Sequence, residues 1–253
     1  MSAKLEIATA PAPMGPSDLA LLTILSAVAG LVDVTGFLSL GHVFTAHITG
    51  NLVAMAAQIV DGGPPHVAQL LSITVFGLAV AAAYFLARRA SIGGGRGGLL
   101  VGQSLLLLVL GLVVRSRHGD VLPLTDSVAI AMIAVAAMAF QNAFVRVSLR
   151  QSSTTSVTGN VANIVIALMA LVWLGPWTRG EAAKKLRSTW PLVVGFFMGC
   201  GMGATSVARL GLLAWSLPAL LSLIAIPVGA AAPATPGTQQ GSPVLPRMPG
   251  DRA

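Results

Sequence analysis

The sequence predicts an all-α membrane protein: six transmembrane helices plus two short broken or re-entrant helices, built from two internal repeats in inverted orientation. Three observations lead there. Of 253 residues, 55% are hydrophobic and only 9% are charged, against roughly 25% charged in soluble domains. Apolar runs close to the ~20 residues that span a bilayer as a helix recur along the chain. The tripeptide Thr-Gly-Asn also occurs twice, each time at the mouth of an apolar run too short to cross.

Six runs are long enough to span: 19–40, 67–87, 98–114, 128–147, 191–207 and 210–228. The two short runs cover 52–60 and 161–174. A nine-residue run reaches only about 14 Å as a helix, half the hydrocarbon thickness. Residues 1–17 and 231–253 are rich in Pro, Gly and small polar residues. Such segments bury too little apolar area to offset ordering entropy, so both are expected to be disordered tails. Residues 18–230 form the transmembrane domain, and "SAVAG" in its first run is not expected to be a cleavage site because apolar residues continue well past it.

The repeat rests on a single offset. Asp33 and Asn142 each precede the threonine of a Thr-Gly-Asn by 16 residues, so 109 positions separate both pairs of features. The same offset relates Gly30 to Ala139, Thr45 to Thr154, Ile48 to Val157 and Leu52 to Val161. Repeat 1 covers about 18–114 and repeat 2 about 125–230. Repeats of this kind characterise transporter folds.

Charge decides the topology. If both short helices crossed, the chain would have eight spans, and nine Lys and Arg would face six across the membrane. If neither crosses, there are six spans, the halves are inverted, and the count becomes twelve against three (Arg115, Arg117, Arg209). Because cations concentrate in cytoplasmic loops, six spans with both termini cytoplasmic is the expected arrangement. The net charge of +7 is thereby explained by orientation, and no nucleic-acid motif accompanies it.

A helix starting inside the membrane leaves its first N–H groups unsatisfied. The Thr and Asn of Thr49, Gly50, Asn51 and of Thr158, Gly159, Asn160 are expected to cap those groups, with Gly allowing a sharp entry. Two such starts approaching from opposite faces would bring their positive dipole ends together near the midplane, where an anionic group could bind. Non-helical backbone at this depth must be buried in protein or line a wet cavity.

Asp33 lies inside the first run, with no Lys or Arg on the same run. An acid near the bilayer centre costs about 2.5–3.5 kcal/mol on insertion scales, so it is either a proton- or cation-coupling group or a hydrogen-bonding partner of Gln141 or Asn142. His42 and His47 flank the loop before the first Thr-Gly-Asn at a spacing that does not make a reliable metal pair. No metal site, nucleophile–base pair or cofactor motif is expected, and the chain is read as not an enzyme. Gly195, Gly199 and Gly203 share one helix face and read as a close helix-packing seam. Pro218 is expected to kink the last span.

The stretches "AGLVDVTGFLSLGHVFTAHITGN" and "FQNAFVRVSLRQSSTTSVTGN" resemble the YoaK-like family of uncharacterised bacterial multi-pass inner-membrane proteins. The resemblance runs over about residues 18–230 and marks Gly30, Asp33, Thr49–Asn51, Gln141, Asn142, Thr158 and Gly159. It implies a bacterial inner membrane and supplies no substrate. The functional expectation is a small secondary transporter or carrier of an unknown solute, an anion among the candidates, with a membrane scaffold or sensor as the alternative. Its partners are the lipid bilayer and a small solute, with a homo-oligomer left open; its path residues are Asp33, Thr49, Gly50, Asn51, Gln141, Asn142, Thr158, Gly159 and Asn160.

Overall fold

A computed structural model describes residues 14–60, 67–90, 97–117, 122–149, 154–172 and 178–231. Every regular element among them is helical: α1 (Pro16–Ser39), α2 (Ile48–Val60), α3 (Val67–Ala90), α4 (Gly98–Ser116), α5 (Leu124–Val147), α6 (Val157–Val172), α7 (Arg179–Leu210) and α8 (Ser216–Ala231), with a 3-10 turn at Gly211–Trp215 between the last two. Most of the residues read as disordered tails fall outside the described residues, and α1 begins at Pro16, just inside the N-terminal tail boundary.

Local chemistry accounts for the ends. At α1 the Asp18 carboxylate accepts from the Gly15 N–H at 3.3 Å, and Pro16 occupies the first turn, where no N–H is needed. At α7, Thr178 and Glu181 form a capping box, with Thr178 N donating to Glu181 Oε2 at 2.8 Å and Glu181 N donating back to Thr178 Oγ1 at 3.3 Å. That cap starts α7 twelve residues before the apolar run read at 191–207, so Pro191 lies within the helix and not at its head. Pro218 sits in the first turn of α8, where a missing N–H costs nothing; the interior proline of that helix is Pro227. The expected kink at Pro218 therefore has no basis.

Among the described residues, five stretches are long and apolar enough to cross a membrane: α1, α3, α4, α5 and the 52-residue Arg179–Ala230, which holds α7 and α8. The helices α2 and α6 are short, at 13 and 16 residues. They reach about 20 and 24 Å at 1.5 Å per residue, less than the ~30 Å hydrocarbon core.

Two buried apolar clusters give each long helix a direction. One gathers Val28 and Val32 of α1, Ala68 of α3, Leu107 and Leu110 of α4, Ile130 and Met138 of α5, and Ala219 of α8. The other gathers Leu21 and Leu25 of α1, Ala83 of α3, Leu99 and Leu100 of α4, Phe144 of α5, Leu192 of α7 and Ala225 of α8. Hence α1, α4 and α7 run from the second cluster towards the first, and α3, α5 and α8 run back. Since α1 and α3 are antiparallel, α2 joins them without carrying the chain to the other end. The same holds for α6 between α5 and α7.

The seam of Gly195, Gly199 and Gly203 packs against α1, as its spacing suggested. A Cβ on Gly195 would lie 2.5 Å from Thr23 O, on Gly199 2.1 Å from Ala27 O, and on Gly203 3.0 Å from Leu31 O. The paired numbers rise together, so α1 and α7 cross in parallel at main-chain distance. Gly30 completes the crossing from α1: its added Cβ would fall 2.3 Å from Phe196 O. Only glycine permits backbones to approach this closely, which is how helices associate where lipid removes the hydrophobic drive.

Candidate functional site

The site is built where α1 ends and the chain doubles back. Leu40 N and His42 N bond to Gly36 O and Phe37 O, and Gly41 and His42 take positive φ of 70° and 62°. For His42 that backbone is unfavourable. Its ring packs edge-on to Phe37 at 4.8 Å, and its carbonyl accepts from Gln69 Nε2 at 3.4 Å. The reversal brings residues 44–47 back level with Asp33, one and a half turns below the end of α1.

Asp33, buried at 4% exposure, is then surrounded by donors. Its Oδ1 accepts from Thr45 N at 2.7 Å, Ala46 N at 2.8 Å and Thr45 Oγ1 at 3.3 Å. Its Oδ2 pairs with His47 Nδ1 at 2.6 Å. Three donors on one oxygen and a histidine on the other satisfy the buried carboxyl group. The partners weighed from the sequence, Gln141 and Asn142, are engaged with other groups. No sequence spacing announces His47, because the chain reversal, not a helix period, sets its place.

The first Thr-Gly-Asn works differently from a cap. Helix α2 begins at Ile48, so Thr49, Gly50 and Asn51 already lie in its first turn. Thr49 is exposed and Asn51 fully buried. The Asn51 side chain reaches backwards: Oδ1 accepts from Phe44 N at 2.8 Å, while Nδ2 donates to Phe44 O and to Ser72 Oγ, both at 2.7 Å. It thus ties the loop to α2 and α3. Gly50 has no left-handed φ; its lack of a Cβ leaves room for the Phe44 ring, 2.9 Å from where that carbon would be. The sharp-turn reading is corrected to a space requirement.

In the second half α6 begins at Val157, again before its Thr-Gly-Asn. Thr158 and Gly159 are exposed, Asn160 is buried, and the Asn160 N–H bonds to Ser156 O at 3.0 Å. Asn142 donates to Thr155 Oγ1 at 3.3 Å. Gln141 is the hub of a buried network: Nε2 donates to Leu25 O at 2.8 Å and Thr154 Oγ1 at 3.0 Å, and Oε1 accepts from Gln103 Nε2 at 2.8 Å. In sequence, Thr154 and Thr155 follow Thr45 and Ala46 by 109 positions.

His47, bonded to Asp33, also packs its ring edge-on to Phe196 of α7 at 5.3 Å. The residue just before α2 therefore touches α7 of the second half of the chain, next to the glycine-lined α1–α7 crossing.

The comparisons with known proteins agree with this picture of a membrane chain. A stretch of 39 residues is 59% identical to the UPF0700 transmembrane protein YoaK of Bacillus subtilis (strain 168). That stretch is 15% of this chain and spans 17% of the relative's length. No solved structure matches. The model of the family described as "Protein of unknown function (DUF1275)" matches residues 21–228. With most of its length matched, the chain belongs to that DUF1275 family of membrane proteins, to which its resemblance to YoaK already pointed.

Proposed function

We propose that the chain is a small secondary carrier rather than an enzyme, with six membrane crossings in two inverted halves, α1–α4 and α5–α8. The observation that carries this reading is the buried Asp33 carboxyl inside the first long apolar helix, held by the loop that leads into the short helix α2. Broken helices that begin at one central point and leave towards opposite faces are the arrangement in which carriers bind solute and coupling ion. The helix directions support it, since neither α2 nor α6 transfers the chain between ends. So does the packing: α1 lies on α7 as α3 lies on α5, α2 on α3 as α6 on α7, and α4 on α5 as α8 on α1. Each of these contacts has its counterpart when the halves are exchanged. We read the stretch Arg179–Ala230 as two crossings, because its 3-10 turn reverses the chain.

Orientation follows from charge. At the end where α1 starts, the described cations are Arg88, Arg89, Arg146, Arg179, Lys184, Lys185 and Arg187; at the other end they are Arg115, Arg117 and Arg209. Seven against three supports both termini being cytoplasmic in a bacterial inner membrane.

The loop that leads into α2 already holds a carboxyl group, the chain's own Asp33. An anionic solute would compete with that carboxylate there, whereas in the second half the neutral Asn142 occupies the equivalent position. Thus the test spans all solute charges. The full chain in liposomes, given an imposed pH gradient, should accumulate at least one radiolabelled probe from acetate, phosphate, glycine, glucose and putrescine several-fold above protein-free vesicles. Asp33→Asn should abolish the gradient dependence. No accumulation of any probe by folded, inserted protein would overturn the carrier reading.

A further inference from the structure

We propose that the first three turns of α7, with the cation-bearing ends of α3 and α5, form a docking surface for the headgroups of anionic phospholipids in the leaflet at that end of the molecule. Such a surface needs no solute and stands apart from the carrier reading. Helix α7 has 32 residues, about 48 Å at 1.5 Å per residue. It therefore outruns the ~30 Å hydrocarbon core by about three turns. Residues 179–190 make up those turns, ahead of the apolar run, and carry Arg179, Lys184, Lys185 and Arg187. One face of them is covered: Ala182 packs with Ala167 and Ala170 of α6, with Leu171 and Leu186 beside them. Arg179, Lys184, Arg187 and Trp190 lie exposed on the open side. Lys184, Arg187 and Trp190 follow one another at intervals of three, so they make one stripe along the helix.

The four α7 cations have no carboxylate partner among the described residues. The ion pairs there are Asp33–His47 and Arg117–Asp126. The described acids at this end are committed to helix starts. Asp18 Oδ2 accepts from Gly15 N at 3.3 Å, and Glu181 Oε2 accepts from Thr178 N and Thr178 Oγ1, both at 2.8 Å. Further cations stand in the last turns of α3 (Arg88, Arg89) and α5 (Arg146). They belong to the same end, because Ala83 of α3, Phe144 of α5 and Leu192 of α7 share one buried cluster. At the far end Arg117 is instead neutralised by Asp126 at 2.9 Å.

The neighbours of the stripe select a lipid over a soluble anion. Trp190 is 49% exposed where the charged turns give way to the apolar run, the place that indole rings take at a membrane–water interface. Tyr84 of α3 is exposed at the same end, with the Arg88 guanidinium 5.6 Å from its ring centroid. The end of α6 leaves Leu168, Met169 and Val172 exposed, a face that meets acyl chains in a membrane protein. Lys and Arg stems can lie along such a surface while their charged heads reach the phosphates. Charge-driven orientation accounts for the side of the membrane on which these cations lie. It does not account for a stripe that ends on an exposed indole, whereas polybasic helix segments beside a span hold anionic headgroups in this way.

Trp190 itself reports the contact. The full chain is placed in phosphatidylcholine nanodiscs holding a small fraction of brominated phosphatidylglycerol or, for comparison, brominated phosphatidylcholine. The Trp190 signal is the emission that disappears in Trp190→Phe. The anionic lipid should quench that signal at a several-fold lower mole fraction than the zwitterionic one. The preference should vanish in Lys184→Gln/Arg187→Gln and persist in Arg115→Gln/Arg209→Gln, which alters the far end. High salt should weaken it in the unmodified chain, a readout that holds even if a variant fails to fold. Equal quenching by the two lipids in the unmodified chain overturns the proposal, as does a preference that survives both Lys184→Gln/Arg187→Gln and high salt. Loss of the preference when inorganic phosphate replaces chloride at equal ionic strength would overturn it in favour of a free-anion site. Loss on adding a polyglutamate peptide at that ionic strength would do so in favour of an acidic protein partner.

Discussion

Gly199 and Ala27 are in main-chain contact across two helices that run in parallel: a Cβ added to Gly199 would sit 2.1 Å from the Ala27 carbonyl oxygen. Neither backbone can give way without moving a helix. Gly199→Val should therefore lower detergent stability by at least the 1–3 kcal/mol typical of overpacking, and separate α1 from α7. Gly201→Ala, where an added carbon meets nothing within 4 Å, is the control and should melt with the wild type. Equal melting of the two variants would mean that the crossing is not built as described.

Asn51 makes three buried hydrogen bonds, two of them to the main chain of Phe44. In Asn51→Ala the Phe44 N–H and C=O lose those partners, at about 1–3 kcal/mol for each buried group left unpaired. Asn51→Asp keeps the acceptor for Phe44 N and loses both donated bonds, so it should fall between. Thermal unfolding of the purified chain ranks the three; an Asn51→Ala variant as stable as the wild type would show the loop is held by other contacts.

Asp33 anchors the other side of the same loop. Asp33→Leu removes every partner of Thr45 N, Ala46 N and His47 Nδ1 that the carboxylate supplies, and should cost about 3–5 kcal/mol, as when one member of a buried ion pair is deleted. Asp33→Asn retains an acceptor oxygen for the two N–H groups and should fold and insert. Only the ionisable group is gone from it. The melting temperatures of the pair check the order, and an Asn variant as unstable as Leu would show that the charge itself holds the loop.

Topology can be read on intact cells with a membrane-impermeant maleimide in a Cys200→Ala background. Leu124→Cys lies at the exposed start of α5, beside the Arg117–Asp126 ion pair, and should be labelled from outside. Glu181→Cys, in the first turn of α7, should react only after lysis. The opposite pattern would invert the orientation proposed from charge.

Composition and the lengths of the apolar runs were enough to class this protein as a helical membrane chain, with Asp33 and the two Thr-Gly-Asn segments as its unusual polar points. Those signals are local, since apolar run length and the cost of a buried acid need no knowledge of neighbours. The glycine seam of α7 was legible for the same reason, because a four-residue spacing fixes a helix face. What Asn51, Gly50 and His47 do was decided only by the tertiary structure. Asn51 looks like a cap in sequence, yet it bonds seven residues back because α2 starts four residues earlier than its apolar run. Helix α7 likewise extends through Pro191 because a capping box, not hydropathy, sets its start. His47 carries no periodic signal at all; it meets Asp33 because the chain reverses through two left-handed residues, Gly41 and His42, and it meets Phe196 because α1 and α7 pack closely.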